Sequence, residues 1–206
     1  MTTSTQARFL VLHALRVKGL ASDPVLEALT GLSADDAAAE VATLVADGLA
    51  VRREGRLAGT MLTPAGRTAH PDLLAADVAA SGEALSQAYE AFLPVNGEFK
   101  RVCSAWQLRL SGEPNDHADP AYDAEVVASL AEVHGRVAQL LDTLSASAGR
   151  FRTYPVRLSG ALERVRAGEH AAFARPMADS YHDIWMELHQ DLLLSAGRER
   201  SAADEG

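Results

Sequence analysis

Residues 44–67 read LVADGLAVRREGRLAGTMLTPAGR, in which two short strands lie between a helix end and a helix start. Residues 49–53 alternate as a strand, a Glu-Gly pair turns the chain, and residues 57–62 return as a second strand. Thr63 and Pro64 then begin a helix, because threonine caps a helix and proline fits its first turn. The stretch therefore predicts a β-hairpin that is followed by a helix.

Three helices are predicted before this hairpin. The first covers residues 5–17, and an Asp-Pro pair begins a short second helix over residues 24–30. Ser33 begins the third, and Ser33 with Asp36 forms the pattern of a capping box. The order helix, short helix, helix, hairpin and helix is that of a winged helix-turn-helix.

The hairpin region also carries the motifs of a known family. The segment LVADGLAVRR (residues 44–53) runs from the end of a helix into the first strand, and LTPAGR (residues 62–67) closes the hairpin. These motifs resemble those of the MarR-type winged helix-turn-helix transcriptional regulators, over about residues 8–70. The resemblance implies a cytoplasmic, usually dimeric, DNA-binding protein that often responds to a small ligand. It does not extend to the C-terminal helical part.

The candidate DNA-binding residues lie on the third helix and around the hairpin. In a helix-turn-helix the second helix of the motif enters the major groove, which makes Thr43 a candidate. Cations for the phosphates come from Arg52, Arg53, Arg56 and Arg67. Two interpretations stay open for Arg53 and Arg56: they follow a minor groove, or they are hydrated charges that pair with Glu54.

The helix over residues 33–47 has a charge that suits DNA poorly. Four of its residues are acidic and none is arginine or lysine, and phosphates repel carboxylates. This composition favours an alternative in which the winged helix contacts a protein.

Composition indicates an ordinary globular protein. The 206 residues carry a net charge of −9, and 48% of them are hydrophobic. No apolar run approaches the length of a membrane span, and the polar N-terminus lacks the layout of a signal peptide. Cys103 is the one cysteine, which excludes an internal disulfide. We therefore expect a cytoplasmic protein without membrane contact, in which Cys103 is an inert thiol on an inward helix face.

Charge and pattern divide the chain into two domains and a tail. Residues 1–75 hold seven basic and eight acidic residues, whereas residues 76–206 hold twelve and twenty. We predict a winged-helix domain with its linking helix over residues 1–80, a helical bundle over 81–197 and a flexible tail over 198–206. The predicted fold class is mainly α: an N-terminal winged helix-turn-helix with a short β-hairpin, followed by an antiparallel bundle of four or five helices.

Apolar residues recur at helical spacing throughout the second domain. The first apolar stripe belongs to a helix that is predicted to break at Pro94 and the following Asn-Gly pair. The second belongs to a helix that is predicted to run to Leu110. A long helix begins at Asp119 and Pro120. Its buried stripe is predicted at Val126, Leu130, Val133, Val137, Leu140 and Leu144. The aromatic side chains Trp106, Tyr154, Phe173, Tyr181 and Trp185 are predicted to lie in the core.

Two regions of opposite charge are the main candidates for ligand binding. Residues 113–125 hold five acids and no lysine or arginine, whereas residues 150–176 hold six arginines and two acids. In one interpretation, salt bridges between helices join the two regions. In the other, an anion-binding pocket forms from Arg152, Tyr154 and Arg157 and faces Trp106 and Arg109.

Asp179 and His182 are one helical turn apart. They either form an oriented acid–imidazole pair or belong to an ordinary polar helix flank. His189 is too far along the helix from His182 for both to bind one ion. We recognise no motif for a metal, a cofactor or a catalytic residue, and therefore expect none of these.

The order of elements, together with what the resemblance to MarR-type regulators implies, predicts a transcriptional regulator that binds DNA through its winged helix. The helical domain would serve dimerisation or ligand sensing, so the expected partners are DNA, a second copy of the chain and a small anionic ligand. Two alternatives remain. One is a winged-helix module that contacts protein and carries a helical accessory domain, and the other is a small enzyme whose pocket contains Arg157, Asp179 and His182.

Overall fold

A computed structural model describes residues 4–198. This part of the chain is mainly helical and contains a small three-stranded antiparallel sheet. The chain divides into two compact units, Met1–Gly82 and Glu83–Gly206. Apart from Arg198, the tail predicted over residues 198–206 lies outside the described residues.

The first unit combines helices with short strands. In chain order its elements are α1 (Ser4–Lys18), β1 (Leu20–Ala21), α2 (Asp23–Thr30), α3 (Ala34–Ala46), β2 (Ala50–Arg53), β3 (Gly59–Leu62) and α4 (Pro64–Val78). Two predicted caps are confirmed: the Ser33 hydroxyl accepts a hydrogen bond from Asp36 N–H, and the Thr63 hydroxyl accepts one from Gly66 N–H. The N-cap of α2 is Ser22, one residue before the predicted Asp23.

The sheet contains the predicted hairpin and one further strand. β3 lies in the centre, with β2 antiparallel on one side and β1 antiparallel on the other. In the hairpin, Ala50 lies opposite Leu62 and Arg53 opposite Gly59, so the return strand begins two residues later than predicted. β1 pairs Leu20 with Met61 and was not predicted, because a strand of two residues has no alternation to detect.

A close backbone contact joins α4 to the residue before β2. A Cβ on Gly66 would lie 2.0 Å from the Leu49 carbonyl oxygen, inside any van der Waals contact. The same carbonyl accepts a hydrogen bond from Thr63 N–H at 3.0 Å. Position 66 therefore requires glycine because of packing, although its backbone is helical.

Gly66→Ala is expected to destabilise the protein by about 2–3 kcal/mol, although alanine is the better helix former. The added methyl group would have to move the backbone at Leu49 or the start of α4. The control is Gly135→Ala in the second unit, where a Cβ meets nothing within 4 Å and a gain of up to about 1 kcal/mol is expected. Urea unfolding followed by circular dichroism measures both, and equal effects would contradict the close contact.

The second unit is a helical bundle. Its elements are α5 (Gly82–Gln107), α6 (Pro120–Ser147), a 3₁₀ turn (Gly149–Arg152), α7 (Thr153–Arg166), α8 (Ala171–Ala174) and α9 (Tyr181–Ser195). The predicted cap of α6 is confirmed, since the Asp119 carboxylate accepts from the N–H groups of Ala121 and Tyr122. The five aromatic side chains predicted for the core are all buried. No helix within residues 4–198 is long and apolar enough to cross a membrane.

The predicted break at Pro94 is wrong, because α5 continues through it to Gln107. A proline inside a helix costs about 3 kcal/mol. Tertiary contacts just after the proline offset that cost: Asn96 accepts a hydrogen bond from Trp185 Nε1 at 2.8 Å, and Phe99 stacks on the Trp185 ring with centroids 4.2 Å apart. The stripe predicted to reach Leu110 also ends early, and Leu110 is fully exposed beyond the end of α5.

The buried stripe of α6 differs from the prediction at one position. Val126, Leu130, Val133, Val137 and Leu144 are buried as predicted, but Leu140 is half-buried and Leu141 takes its place. The prediction alternated steps of four and three residues, which corresponds to a period of 3.5. A straight helix has 3.6 residues per turn, so its inward face drifts by about 20° per heptad and a step of four recurs.

Candidate functional site

The predicted DNA-binding residues are all exposed on the first unit. The Thr43 hydroxyl donates to the Ala39 carbonyl within α3 at 3.0 Å. Arg52 pairs with Asp23, with Nη1 and Oδ2 3.1 Å apart. Arg67 Nη1 donates to the Leu62 carbonyl at 3.0 Å, which ties its side chain to the end of β3.

Arg53 and Arg56 differ from the other two arginines. Arg53 ends β2 and Arg56 lies in the turn before β3. Within residues 4–198 neither forms an ion pair, so the expected alternative of pairing with Glu54 is not found. Both guanidinium groups are thus available to an anionic partner.

The exposed face of α3 carries acidic side chains and several small ones. Asp35 and Asp36 lie in its first turn, and the Ser33 hydroxyl donates to Asp36 Oδ2 at 2.8 Å. Asp47, just after the helix, pairs with Arg8 at 2.7 Å. Five further exposed positions are alanines: Ala34, Ala38, Ala39, Ala42 and Ala46.

In the second unit, the residues predicted to form an anion pocket lie in separate places. Arg152 is exposed, and its Nε donates to the Ser145 carbonyl at 3.4 Å. Trp106 is buried and stacks on Phe173, with ring centroids 4.4 Å apart. Arg109 lies in the turn after α5, with its guanidinium 5.0 Å from the centroid of the Tyr122 ring. Among the described residues no hydrogen bond, ion pair or ring contact joins Arg152, Trp106 and Arg109, whereas Tyr154 and Arg157 both lie near Glu187.

The predicted salt bridges between the two charged regions are also wrong. Asp116 and Asp119 pair with Arg109, at 3.5 and 3.4 Å, rather than with the arginines of residues 150–176. The Tyr122 N–H and the Arg109 side chain both donate to the Asp119 carboxylate and lower its pKa. A nearby cation in the same loop satisfies these acids, so they need no partner from another helix.

Arg157 lies at the centre of an ion cluster in which its own side chain and that of Glu187 are buried and that of Asp179 is half-exposed. Its Nη2 is 2.5 Å from Asp179 Oδ1 and 2.7 Å from Glu187 Oε2. Burial opposes the charge of the guanidinium, but the carboxylates of Glu187 and Asp179 outweigh it and raise the Arg157 pKa. Asp179 lies before α9 and has a left-handed backbone with φ 49°, so it is not one helical turn from His182, and no hydrogen bond joins these two described residues. Burial lowers the pKa of His182, against an opposing effect of Asp183.

A second buried polar cluster surrounds Asp191. Arg150 Nε lies 3.1 Å from Asp191 Oδ1, and the Tyr154 hydroxyl donates to Asp191 Oδ2 at 3.2 Å. Burial and the negative charge of Asp191 hold the pKa of Tyr154 well above its usual value, so the phenol stays protonated. Sequence spacing did not indicate either cluster, because in each of them the arginine lies more than twenty positions from its acidic partners.

Cys103 and His134 are two further reactive side chains of the second unit. Cys103 is half-buried, and burial raises the pKa of its thiol to about 12. The thiol is therefore protonated at neutral pH and unreactive, as expected. His134 Nδ1 lies 3.2 Å from the Tyr181 hydroxyl, and burial lowers the His134 pKa.

Three metal-ligating side chains come together where no motif indicated a site. His117 lies between α5 and α6, Asp123 in the first turn of α6, and His170 directly before α8. One ligand atom from each lies within 4.8 Å of the other two. A cavity of about 450 Å³ adjoins the two histidines and is also lined by Trp106 and Arg175. We call these three residues the histidine–aspartate cluster.

Comparison of the chain with protein-family models, curated proteins and solved structures gave no match. The resemblance to MarR-type regulators therefore rests on the hairpin motifs. The function has to be argued from the geometry of the two units.

Proposed function

We propose that the protein is a DNA-binding transcriptional regulator of the winged helix-turn-helix type, whose first unit contacts DNA. The observation that carries the proposal is the position of Arg53 and Arg56. These two unpaired arginines lie on a hairpin that directly follows the two consecutive helices α2 and α3. Phosphate neutralisation by such cations supplies much of the affinity of a protein for DNA.

The packing of the first unit supports this proposal. Gly31, in a left-handed conformation at φ 68°, ends α2 and lets the chain turn into α3. Residues from α1, α2, α3 and the sheet share one apolar core that includes Leu12, Leu26 and Leu44. This core fixes α3 and the hairpin relative to each other, as recognition by a helix and a wing requires.

A second candidate function follows from the acidic face of α3. The N-terminal residues of a recognition helix face the bases, and here those residues include Asp35 and Asp36. Carboxylates and alanines suit a contact with a basic protein surface better than a contact with phosphates. In this candidate the first unit binds a protein partner through α3, and the second unit is an accessory domain.

Replacing Arg53 and Arg56 together by alanine is expected to weaken binding to all DNA sequences alike. Each lost phosphate contact lowers the slope of log affinity against log salt by about one, so the double variant should lose about two per bound chain. Fluorescence anisotropy with duplexes from the promoter of the protein's own gene, over a range of salt concentrations, measures the slope. The matched control is Arg101→Ala with Arg166→Ala, two exposed arginines of the second unit.

The same assay separates the two candidates. If α3 faces phosphates, Asp35→Asn removes a repulsion and should tighten DNA binding. If α3 instead faces a basic protein, the wild-type protein should have no higher affinity for DNA than the variant in which both Arg53 and Arg56 are alanine. An unchanged salt slope in that variant would remove the hairpin from the DNA-binding proposal.

A further inference from the structure

We propose that the histidine–aspartate cluster, His117, Asp123 and His170, is a binding site for one divalent transition-metal ion. The inference concerns the second unit and does not depend on DNA binding by the first. It rests on the identity of the three ligands, on their separation and on the group that holds Asp123 in place.

The donor set selects the class of metal. Two imidazole nitrogens and one carboxylate oxygen suit Zn²⁺ and the neighbouring first-row ions, whereas Mg²⁺ and Ca²⁺ prefer oxygen ligands alone. Three protein ligands also leave at least one coordination position for water or a ligand. The adjoining cavity of about 450 Å³ gives that position access from outside, and Arg175 on its wall favours an anionic ligand.

The separation of His117 and Asp123 fits a shared ion. His117 Nδ1 lies 3.0 Å from Asp123 Oδ2, and two atoms that bind one ion at about 2.1 Å lie roughly 3.0–3.4 Å apart. The widest separation in the cluster, up to 4.8 Å, is larger than this range. His170 is exposed, so a rotation of its ring can bring the third ligand in.

Asn115 contacts both Asp123 and His117, and the His117 Nδ1 atom faces the Asp123 carboxylate. Asn115 Nδ2 lies 2.9 Å from Asp123 Oδ1, 3.2 Å from the Trp106 carbonyl and 3.2 Å from His117 Nδ1. His117 Nδ1 lies 3.1 Å from Asp123 Oδ1 and 3.0 Å from Asp123 Oδ2, and either a proton or a cation between the nitrogen and the carboxylate satisfies both groups. The amide of Asn115 is the kind of outer-shell partner that orients a ligating carboxylate.

The backbone at His117 supports the same arrangement. His117 has a φ of 58°, in the left-handed region that residues other than glycine seldom adopt. The Asn115 side-chain oxygen accepts from His117 N–H at 3.3 Å and helps to hold this conformation. The Trp106 ring, 4.4 Å from the His117 ring between centroids, packs against the imidazole. Two of the three ligands are thus positioned before an ion arrives.

The test is a titration of the full chain with Zn²⁺, after treatment with a chelator and without a histidine tag. Isothermal calorimetry should give one Zn²⁺ per chain, and Co²⁺ should develop a visible absorption band in the same site. His170→Ala removes an exposed ligand without disturbing the core, and should weaken Zn²⁺ binding at least tenfold and abolish the Co²⁺ band. Asp123→Asn should weaken Zn²⁺ binding by a similar factor.

The controls remove comparable groups outside the cluster. Asp116→Asn removes a neighbouring carboxylate that pairs with Arg109, and His182→Ala removes an imidazole of α9. Both should leave Zn²⁺ affinity unchanged. Wild-type Zn²⁺ affinity in His170→Ala, binding that does not saturate at one ion per chain, or Mg²⁺ binding as tight as Zn²⁺ binding would each overturn the proposal.

Discussion

Asp191→Ala is expected to destabilise the helical bundle by roughly 3–5 kcal/mol, the cost of removing one partner from a buried ion pair. The side chains of Arg150 and Asp191 are each 3% exposed, with Arg150 Nε 3.1 Å from Asp191 Oδ1. The substitution removes the carboxylate but leaves the guanidinium charge in the interior. Burying a charge without its counter-ion costs far more than a surface ion pair contributes.

Hydrogen bonds add to this cost. The Tyr154 hydroxyl donates to Asp191 Oδ2, and the Ser195 hydroxyl lies 3.1 Å from Asp191 Oδ1. The raised pKa of Tyr154 keeps its phenol protonated, so its hydroxyl remains a buried donor after the carboxylate has gone. Asp191→Asn, which keeps the shape of the side chain, should therefore cost less than Asp191→Ala.

The matched control for this prediction is Asp23→Ala. Arg52 and Asp23 also lie 3.1 Å apart, but their side chains are 48% and 49% exposed. Removing this surface pair should cost less than about 1 kcal/mol. Denaturant unfolding of each variant measures the difference. If Asp23→Ala and Asp191→Ala lowered the free energy of unfolding equally, burial would not determine how much an ion pair contributes to stability.

A compensating double variant tests the cause. Replacing both members of a buried ion pair by apolar residues is often close to neutral, because no charge is left in the interior. Arg150→Met combined with Asp191→Leu should therefore recover much of the stability that Asp191→Ala loses. Failure to recover would indicate that the hydrogen bonds of Tyr154 and Ser195, rather than the charge, account for the loss.

The features that were predicted correctly depend on neighbouring residues. The caps at Ser33, Thr63 and Asp119 were found from the sequence because a cap is a hydrogen bond over two or three positions. The hairpin of β2 and β3 was found for a similar reason, since a turn and two alternating strands lie within a short window. Local chemistry was therefore enough for these three caps and for the pairing of the hairpin strands.

The features that were missed depend on contacts between distant parts of the chain. Helix α5 passes through Pro94 because Asn96 bonds to Trp185, 89 positions away. Arg157 pairs with Asp179 and Glu187 rather than with the acids that its charge pattern suggested. The three members of the histidine–aspartate cluster come from three separate segments, and no spacing in the sequence joins them. For these sites, only packing determines which side chains meet.

Leu141→Ala is expected to cost roughly 2–5 kcal/mol, and Leu140→Ala clearly less, although the sequence pattern assigned the buried position to Leu140. Leu141 is 1% exposed, so its truncation leaves a cavity that the surrounding helices cannot fill. Leu140 is half-buried, so its truncation removes less apolar contact and opens onto solvent. Thermal and urea unfolding of the two variants, which differ by one position in the same helix, give the comparison directly. If Leu140→Ala were the costlier change, α6 would keep the 3.5-residue period of its sequence pattern and turn a different face to the bundle core.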